Sequence, residues 1–329
     1  MATLESSGLA EQVQVMRIQI LLYVALGVIS LVVSQLNLLH VEGSILLACS
    51  AACIAFVGVP HGGLDHLHGR RLLQPLLADR WWLVFLPAYL FVGTVIAALW
   101  LAAPVPTIVS FLVLSAWHFG REEHASSSHL ECMSLGGIVI WGIALARPIE
   151  MTEILASTIY SNSMLHATLV TDIARVLGLV LLPISVVILL WRVIARGPNR
   201  RNLGLFAAQL VTLAVAIWTP ILVSFTLYFC FWHSVLGLRR LRRSEGLGRI
   251  EFIKMIAPLS LSAVGIVVVI GLGGMGISLA DLGRVEALRL VFIGLASIAV
   301  PHIVLHELLP SLLQHRGIQR DASTRELLT

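Results

Sequence analysis

The sequence predicts an all-α, polytopic membrane protein, a bundle of about ten transmembrane helices. Hydrophobic residues make up 58% of its 329 residues and charged residues only 12%, whereas soluble domains carry roughly 25% charged residues. The mean hydropathy is +0.93. The apolar runs do not alternate with polar residues, which favours helices over a closed barrel, the other fold that satisfies every backbone group in lipid. We expect residues 1–329 to form a single integral membrane domain with short polar tails at 1–16 and 314–329.

Ten apolar runs account for these helices. A helix needs about 20 mostly apolar residues to cross a hydrocarbon core of about 30 Å. The fourth and fifth runs are shorter than this and are consistent with half-buried or tilted helices. The predicted spans are 18–36, 44–60, 81–101, 107–119, 132–146, 169–194, 203–218, 221–238, 256–276 and 287–309.

The distribution of basic residues predicts the orientation. If the N-terminus is cytoplasmic, all but four of the 22 Lys and Arg residues fall on the inner side, the exceptions being Arg147, Arg175, Arg284 and Arg289. An excess of Lys and Arg in inner loops is typical of multi-pass membrane proteins. We therefore expect both termini to be cytoplasmic and the protein to lie in the lipid bilayer of the cell inner membrane. This charge pattern explains the net charge of +4 without a nucleic-acid partner.

Twelve histidines are unexpected in so apolar a chain, because ionisable groups inside a membrane are costly and tend to be functional. Four of them fall in loops or at span edges, where water can solvate them: His40, His129, His166 and His315. The other eight form four groups along the chain: His61, His66 and His68; His118 and His124; His233; and His302 and His306.

Four of these histidines share a predicted depth. His61 and His118 end spans two and four, and His233 and His302 lie near the inner ends of spans eight and ten. All four spans run from outside to inside, so the four side chains can meet in one layer in the cytoplasmic half of the membrane. Neutral imidazole is a good ligand for iron, copper and zinc. We therefore predict a metal site formed by His61, His118, His233 and His302.

Neighbouring residues supply supporting groups and alternative ligands. His306 lies four residues after His302, hence on the same helix face, and the spacing does not choose between them. His66 and His68 are further candidates, as ligands or as groups that support the ligands. Ring-orienting carboxylates, each accepting the second N–H of a ligand, are available next to the histidines: Asp65, Glu122, Glu123 and Glu307.

Three motifs carry a family resemblance. PHGGLDH at 60–66, WHFGREE at 117–123 and FCFWHS at 229–234 resemble the Brp/Blh family. Its members are integral membrane β-carotene 15,15′-dioxygenases of bacteria and archaea that supply retinal to microbial rhodopsins. The resemblance extends from about residue 44 to residue 307.

The resemblance implies an iron(II) held by His61, His118 and His233, and cleavage of β-carotene or a related carotenoid by O₂ to two retinals. It also implies a functional link to a retinal-binding rhodopsin, and it assigns neither a separate catalytic residue nor an organic cofactor. The family tends to have an HSxxH pattern, but the last position here is Gly237. His302, His306 or His66 then completes the site, or the iron has three histidines, or the activity has changed.

Other functions remain open from the sequence. A di-iron desaturase or hydroxylase would bind two irons, a b-type haem electron-transfer protein would show a Soret band, and a transporter would use a histidine relay. Cleavage of a carotenoid requires an apolar tunnel open to lipid. Its expected walls are aromatic residues beside the ligands: Phe56, Trp117, Phe119, Tyr228, Phe231 and Trp232.

Overall fold

The protein folds into a bundle of helices in a computed structural model. The structure describes residues 2–36, 43–124, 128–159, 163–195, 197, 200–274 and 285–310. Every regular element within these ranges is helical, as the sequence predicts. Two of the predicted solvated histidines, His40 and His315, lie outside the described residues, as do the predicted C-terminal tail and the end of span nine.

The described ranges contain fourteen α-helices. In chain order they are α1 (Ala2–Gln35), α2 (Gly43–Cys53), α3 (Asp65–Leu77), α4 (Trp81–Ala102), α5 (Pro104–Glu123), α6 (His129–Gly136), α7 (Ile138–Ala146), α8 (Pro148–Thr158), α9 (Ser163–Ala195), α10 (Arg200–Trp218), α11 (Ile221–Thr226), α12 (Val235–Ser244), α13 (Arg249–Gly274) and α14 (Val285–Ile303).

Three π-helical segments interrupt or extend these helices in the part of the chain that the structure describes. Ile54–Gly58 continues α2 and leads into a 3₁₀ turn at Val59–Gly62, Leu227–Ser234 joins α11 to α12, and Val304–Leu308 continues α14. A π-helix closes i→i+5 hydrogen bonds, is rare, and is frequently found at functional sites. Each of these segments contains a histidine of the predicted metal site or ends within three residues of one.

Six helical segments of the described chain are long and apolar enough to cross a membrane, or seven if the pair α6–α7, bent by 53°, forms one span. One of them, Gly43–Ala102, has 60 residues and contains both the second and the third predicted spans. All ten predicted spans coincide with helical segments. However, α5 and α10 are not among the segments that are long and apolar enough to cross a membrane. The count of ten and the orientation therefore stay predictions.

Two helices lie where the sequence predicted only loops. α3 follows the second predicted span, and α8 occupies the predicted outer loop between the fifth and sixth spans. Both are short, so a search for runs of about 20 apolar residues misses them. At the N-terminus, α1 already begins at Ala2, so the polar residues expected to form a tail extend the first helix.

The helix that carries His118 is held by an unusually close helix contact. α5 packs against α6 at Gly120, where an added Cβ would collide with the backbone carbonyl of Cys132. On the facing helix, a Cβ at Gly136 would collide with the backbone of Gly120. Small residues allow such close backbone approach in membrane bundles. This contact fixes the position of α5 two residues beyond His118.

We expect Gly120→Ala to destabilise the protein by roughly 1–3 kcal/mol, the usual cost of overpacking a tight contact. Thermal unfolding of the detergent-purified variant measures this. Gly265→Ala is the matched control, because no atom lies within 4 Å of a Cβ built there. Equal melting temperatures for the two variants would show that α5 and α6 are less tightly packed than described.

Candidate metal centre

The structure brings together the rings of all four predicted ligands. The ring centroid of His61 lies 5.1 Å from those of His233 and His302 and 6.4 Å from that of His118. The centroid of His118 lies 5.4 Å from that of His233 and 5.2 Å from that of His302. The four side chains come from four separate helical segments, so their convergence is a property of the tertiary fold.

These rings are buried with unpaired nitrogens. The four residues are 1–8% exposed. Within the described part of the chain, no hydrogen-bond partner is found for either ring nitrogen of His61 or His118, for Nδ1 of His233 or for Nε2 of His302. Leaving a buried polar group unpaired is costly and calls for an explanation such as a bound ion. A transition-metal ion bound by one nitrogen of each ring would satisfy four of these six nitrogens, so the residues fit a metal site.

A carboxylate also lies among the ligand atoms. Oε2 of Glu122 is 3.3 Å from Nε2 of His61 and 3.2 Å from Nε2 of His233. One ligand atom from each of His61, His118, Glu122 and His233 lies within 4.8 Å of the others. The sequence predicts only an orienting role for Glu122. The sequence signal for the position of Glu122 is its spacing of four residues from His118, which places the two side chains on one helix face.

Asp65 has the orienting geometry expected for a group beside a ligand. Its Oδ1 lies 2.8 Å from Nδ1 of His302 and 2.9 Å from Nε2 of His306, and its Oδ2 accepts a hydrogen bond from the hydroxyl of Tyr89 at 2.7 Å. The Nδ1 contact leaves Nε2 of His302 available to a metal. Carboxylate partners of this kind fix the tautomer and orientation of metal-bound histidines. Asp65, His302 and His306 also form a second group of possible ligands.

The other two acidic candidates do not hydrogen-bond a ligand ring. Glu123 accepts hydrogen bonds from the Tyr228 hydroxyl at 2.7 Å and from Nε2 of Gln209 at 3.2 Å, so it ties α5 to neighbouring helices. Glu307 accepts a hydrogen bond from Nε of Arg121 at 3.1 Å. Its other carboxylate oxygen is 3.9 Å from Nδ1 of His118, too far for a hydrogen bond.

The other histidines predicted as possible ligands, His306, His68 and His66, lie outside the cluster of four rings. His306 contacts Asp65, and its ring stacks on that of His68 with centroids 4.2 Å apart. His66 belongs to neither group of possible ligands among the described residues. Of the candidates for the fourth histidine, His302 is the one whose ring lies within 5.2 Å of both His61 and His118.

Gly237 makes room for the ring of His61. A Cβ at position 237 would collide with Cε1 and Nδ1 of that ring and would lie 3.0 Å from Oε1 of Glu122. No side chain, histidine included, fits at this position while His61 keeps its place. The packing around His61 therefore requires glycine at the position where the HSxxH pattern has its second histidine.

An apolar chamber leads to the four rings. Its volume is about 1390 Å³, which includes the space at its opening. Apart from the histidines, the polar side chains among the described residues that line it are Ser50, Ser115 and Thr226. The rings lie at one end, and a cluster that includes Leu47 and Leu288 lies at the other. From Leu288 to His302 the helix rises about 21 Å.

Most of the aromatic walls predicted from the sequence lie elsewhere. Of the predicted set, Phe119 is the member that lines the chamber, whereas Phe56 is 67% exposed on the outside of the bundle. The chamber instead contains a row of stacked aromatic rings. Phe225 stacks on both Phe292 and Phe229, and Phe229 stacks in turn on His233. The prediction considered only residues next to the ligands, and Phe225 and Phe292 lie one or more turns away.

The fold and the site together define a class of protein: a membrane protein that is helical throughout its described elements and whose buried histidine cluster lies at the end of an apolar chamber. Residues 52–310 match the family model described as beta-carotene 15,15′-dioxygenase. The chain therefore belongs to the β-carotene 15,15′-dioxygenase family. This confirms the family and the enzyme class, a carotenoid-cleaving dioxygenase, predicted from the three motifs.

Two relatives agree with this family. A "Beta-carotene 15,15′-dioxygenase" of uncultured marine bacterium 66A03 is 27% identical over 266 residues, which cover 78% of this chain and 91% of the relative. A "Probable beta-carotene 15,15′-dioxygenase Blh" of Halobacterium salinarum is 34% identical over 73 residues, 22% of this chain and 21% of that protein. No solved structure matches the chain.

We expect Gly237→Ala to reduce the metal retained by the purified protein, because the added methyl group must displace the ring of His61. Metal per chain, measured by elemental analysis, checks this. Gly248→Ala is the control, since the nearest atom to a Cβ there is 4.0 Å away. Full metal content in Gly237→Ala would show that His61 does not need its present position to bind the ion.

Proposed function

We propose that this protein is an iron(II)-dependent dioxygenase that cleaves the central double bond of β-carotene with O₂ to give two all-trans-retinals. The observation that carries the proposal is the convergence of four buried imidazoles at one end of an apolar chamber. Family membership supports the same reaction. The alternative of a changed activity, raised by Gly237, has less support because His302 supplies a fourth ring in this chain, which lacks the last histidine of the HSxxH pattern.

The residues that would hold the iron are His61, His118, His233 and His302. Glu122 lies close enough to these rings to act as a further ligand. When bound, iron(II) would supply the redox chemistry that activates O₂. Asp65 would keep the His302 ring in the tautomer whose Nε2 faces the ion.

The chamber would bind the carotenoid and exclude water. Carotenoids are apolar throughout, so burial of the polyene against Leu, Ile and Phe side chains provides the binding free energy. The chamber is anchored at its far end, where Arg147 donates to the Thr219 carbonyl at 2.7 Å and Glu150 accepts from the Ile221 N–H at 2.8 Å. These two bonds tie α8 to the start of α11 and hold the wall of the chamber in place.

The membrane arrangement proposed with this activity has ten spans in the inner membrane and both termini in the cytoplasm. The coincidence of all ten apolar runs with helices supports the count, and the Lys and Arg distribution supports the orientation. Both substrates, the carotenoid and O₂, dissolve in the bilayer that surrounds the chamber. The product retinal suits a rhodopsin in the same membrane.

We expect alanine at His61, His118, His233 or His302 to abolish retinal formation in a bacterium that makes β-carotene, because each substitution removes one proposed ligand. Pigment extraction and chromatography measure retinal, and immunoblotting measures protein. His166→Ala, on α9, is the control and should leave retinal unchanged. Normal retinal from any of the four variants would remove that residue from the site, and no retinal from the unaltered protein would refute the proposed reaction.

A di-iron oxygenase is the second candidate, and one observation favours it. Asp65, His302 and His306 form a group of possible ligands adjacent to the one that contains Glu122. We nevertheless expect one iron per chain, because the Asp65–His302 contact has the geometry of a carboxylate that orients a ligand. Iron per chain in the purified protein decides between them: two irons, with the second lost in His306→Ala, would establish the di-iron site.

A further inference from the structure

A second cavity borders the histidine rings. It has a volume of about 740 Å³, including its open mouth, and it is lined by His61, His118 and His302, three of the rings that also line the apolar chamber. Most of the other residues in its wall are polar or charged, among them His68, Glu122, Arg240, His306 and Glu307, and Gly237 and Leu241 complete it. The proposed metal site thus lies between an apolar chamber and a polar one.

The apolar chamber is a poor path for a metal ion. A divalent cation that leaves water for an apolar environment loses its hydration, and the cost is many kcal/mol unless ligands replace the lost water. The walls of the apolar chamber offer three hydroxyl groups before the histidine layer. The polar cavity offers imidazole and carboxylate groups along its wall, so an ion can exchange water for ligands in steps.

His68 and His306 lie on such a series of ligands. Nε2 of His68 is buried without a hydrogen-bond partner among the described residues, and its ring stacks on His306. Nε2 of His306 shares Oδ1 of Asp65 with His302. Each group is thus in contact with the next, from the cavity wall to a ligand of the site.

One exposed residue of the cavity wall, Arg71, is held in an ion pair. Nη2 of Arg71 on α3 lies 2.7 Å from each carboxylate oxygen of Glu245, which follows α12. The Arg71 side chain is 56% exposed and lines the cavity, so its positive charge faces a cation that approaches from water. Removal of this side chain both breaks the ion pair and removes the repulsion.

We propose that the polar cavity is the route by which the metal ion enters and leaves the histidine site, with His68 as its first nitrogen ligand and the Arg71–Glu245 pair as its gate. The inference rests on the proposed function, because it assumes that the four rings hold iron. It adds a role for three residues that the cleavage reaction does not use. Metal and carotenoid then reach the same site from opposite sides.

The test measures the rate of iron release from the full-length, iron-loaded protein in detergent. A strong, water-soluble iron(II) chelator such as ferrozine is added in excess, and its coloured complex reports release with time. We expect His68→Phe, which keeps a ring to stack on His306 but removes the nitrogens, to slow release several-fold. The initial iron per chain and the carotenoid cleavage of the loaded protein should be unchanged.

His66→Phe is the matched control for this variant, since it makes the same replacement two residues away on α3 at a residue that does not line the cavity. Its release rate should equal that of the unaltered protein. Reloading with iron(II) after extraction should be slowed in His68→Phe by the same factor, because entry and exit use one route.

Arg71→Ala should act in the opposite direction and speed release several-fold. Arg70→Ala is its control, because Arg70 points to Gln74, to which its Nε donates at 2.9 Å, and does not line the cavity. Full cleavage activity of loaded Arg71→Ala excludes unfolding as the cause of faster release. Unchanged release rates in both His68→Phe and Arg71→Ala would overturn the proposed route.

Failure of the proposed function gives a different result. If the unaltered protein neither retains nor takes up iron, the metal site itself is wrong. If it holds iron and forms retinal but the release rates do not respond to these substitutions, only the route is wrong.

Discussion

The constraint on which this structure depends is the burial of imidazole nitrogens that make no hydrogen bond within the described part of the protein. Six ring nitrogens of His61, His118, His233 and His302 lie in the bundle interior with no hydrogen bond among the described residues. A membrane protein tolerates such groups when they share a ligand that compensates for lost hydration. The close α5–α6 contact, the glycine at 237 and the carboxylate of Asp65 all serve to hold these rings where one ion can bind a nitrogen of each.

The local backbone adapts to this requirement. His61 and His302 each follow a proline, which lacks the N–H that would bond to the carbonyl four residues earlier. π-Helical turns precede the 3₁₀ turn of His61, contain His233 and follow His302. A π turn rotates the following residues relative to an α-helix, so it changes which side chains face the centre. Three of the four helical segments that supply rings therefore depart from α-helical geometry close to the ring.

The sequence predicted the parts of this arrangement that depend on composition and depth. Apolar runs located the principal helices, and the shared depth of four histidines identified the rings that the fold brings together. It did not identify Phe225 and Phe292 as chamber walls, because that depends on which helices are neighbours and on the π turns. The sequence did not predict the short helices α3 and α8 for a different reason, because neither contains an apolar run long enough to indicate a membrane span.

The contact between Gly237 and His61 also constrains how relatives of this protein can diverge. A relative that carries a side chain at the position of Gly237 must hold its counterpart of His61 in a different place, because any Cβ at 237 collides with the His61 ring as it lies here. A change at 237 therefore requires accompanying changes in the residues that pack around His61.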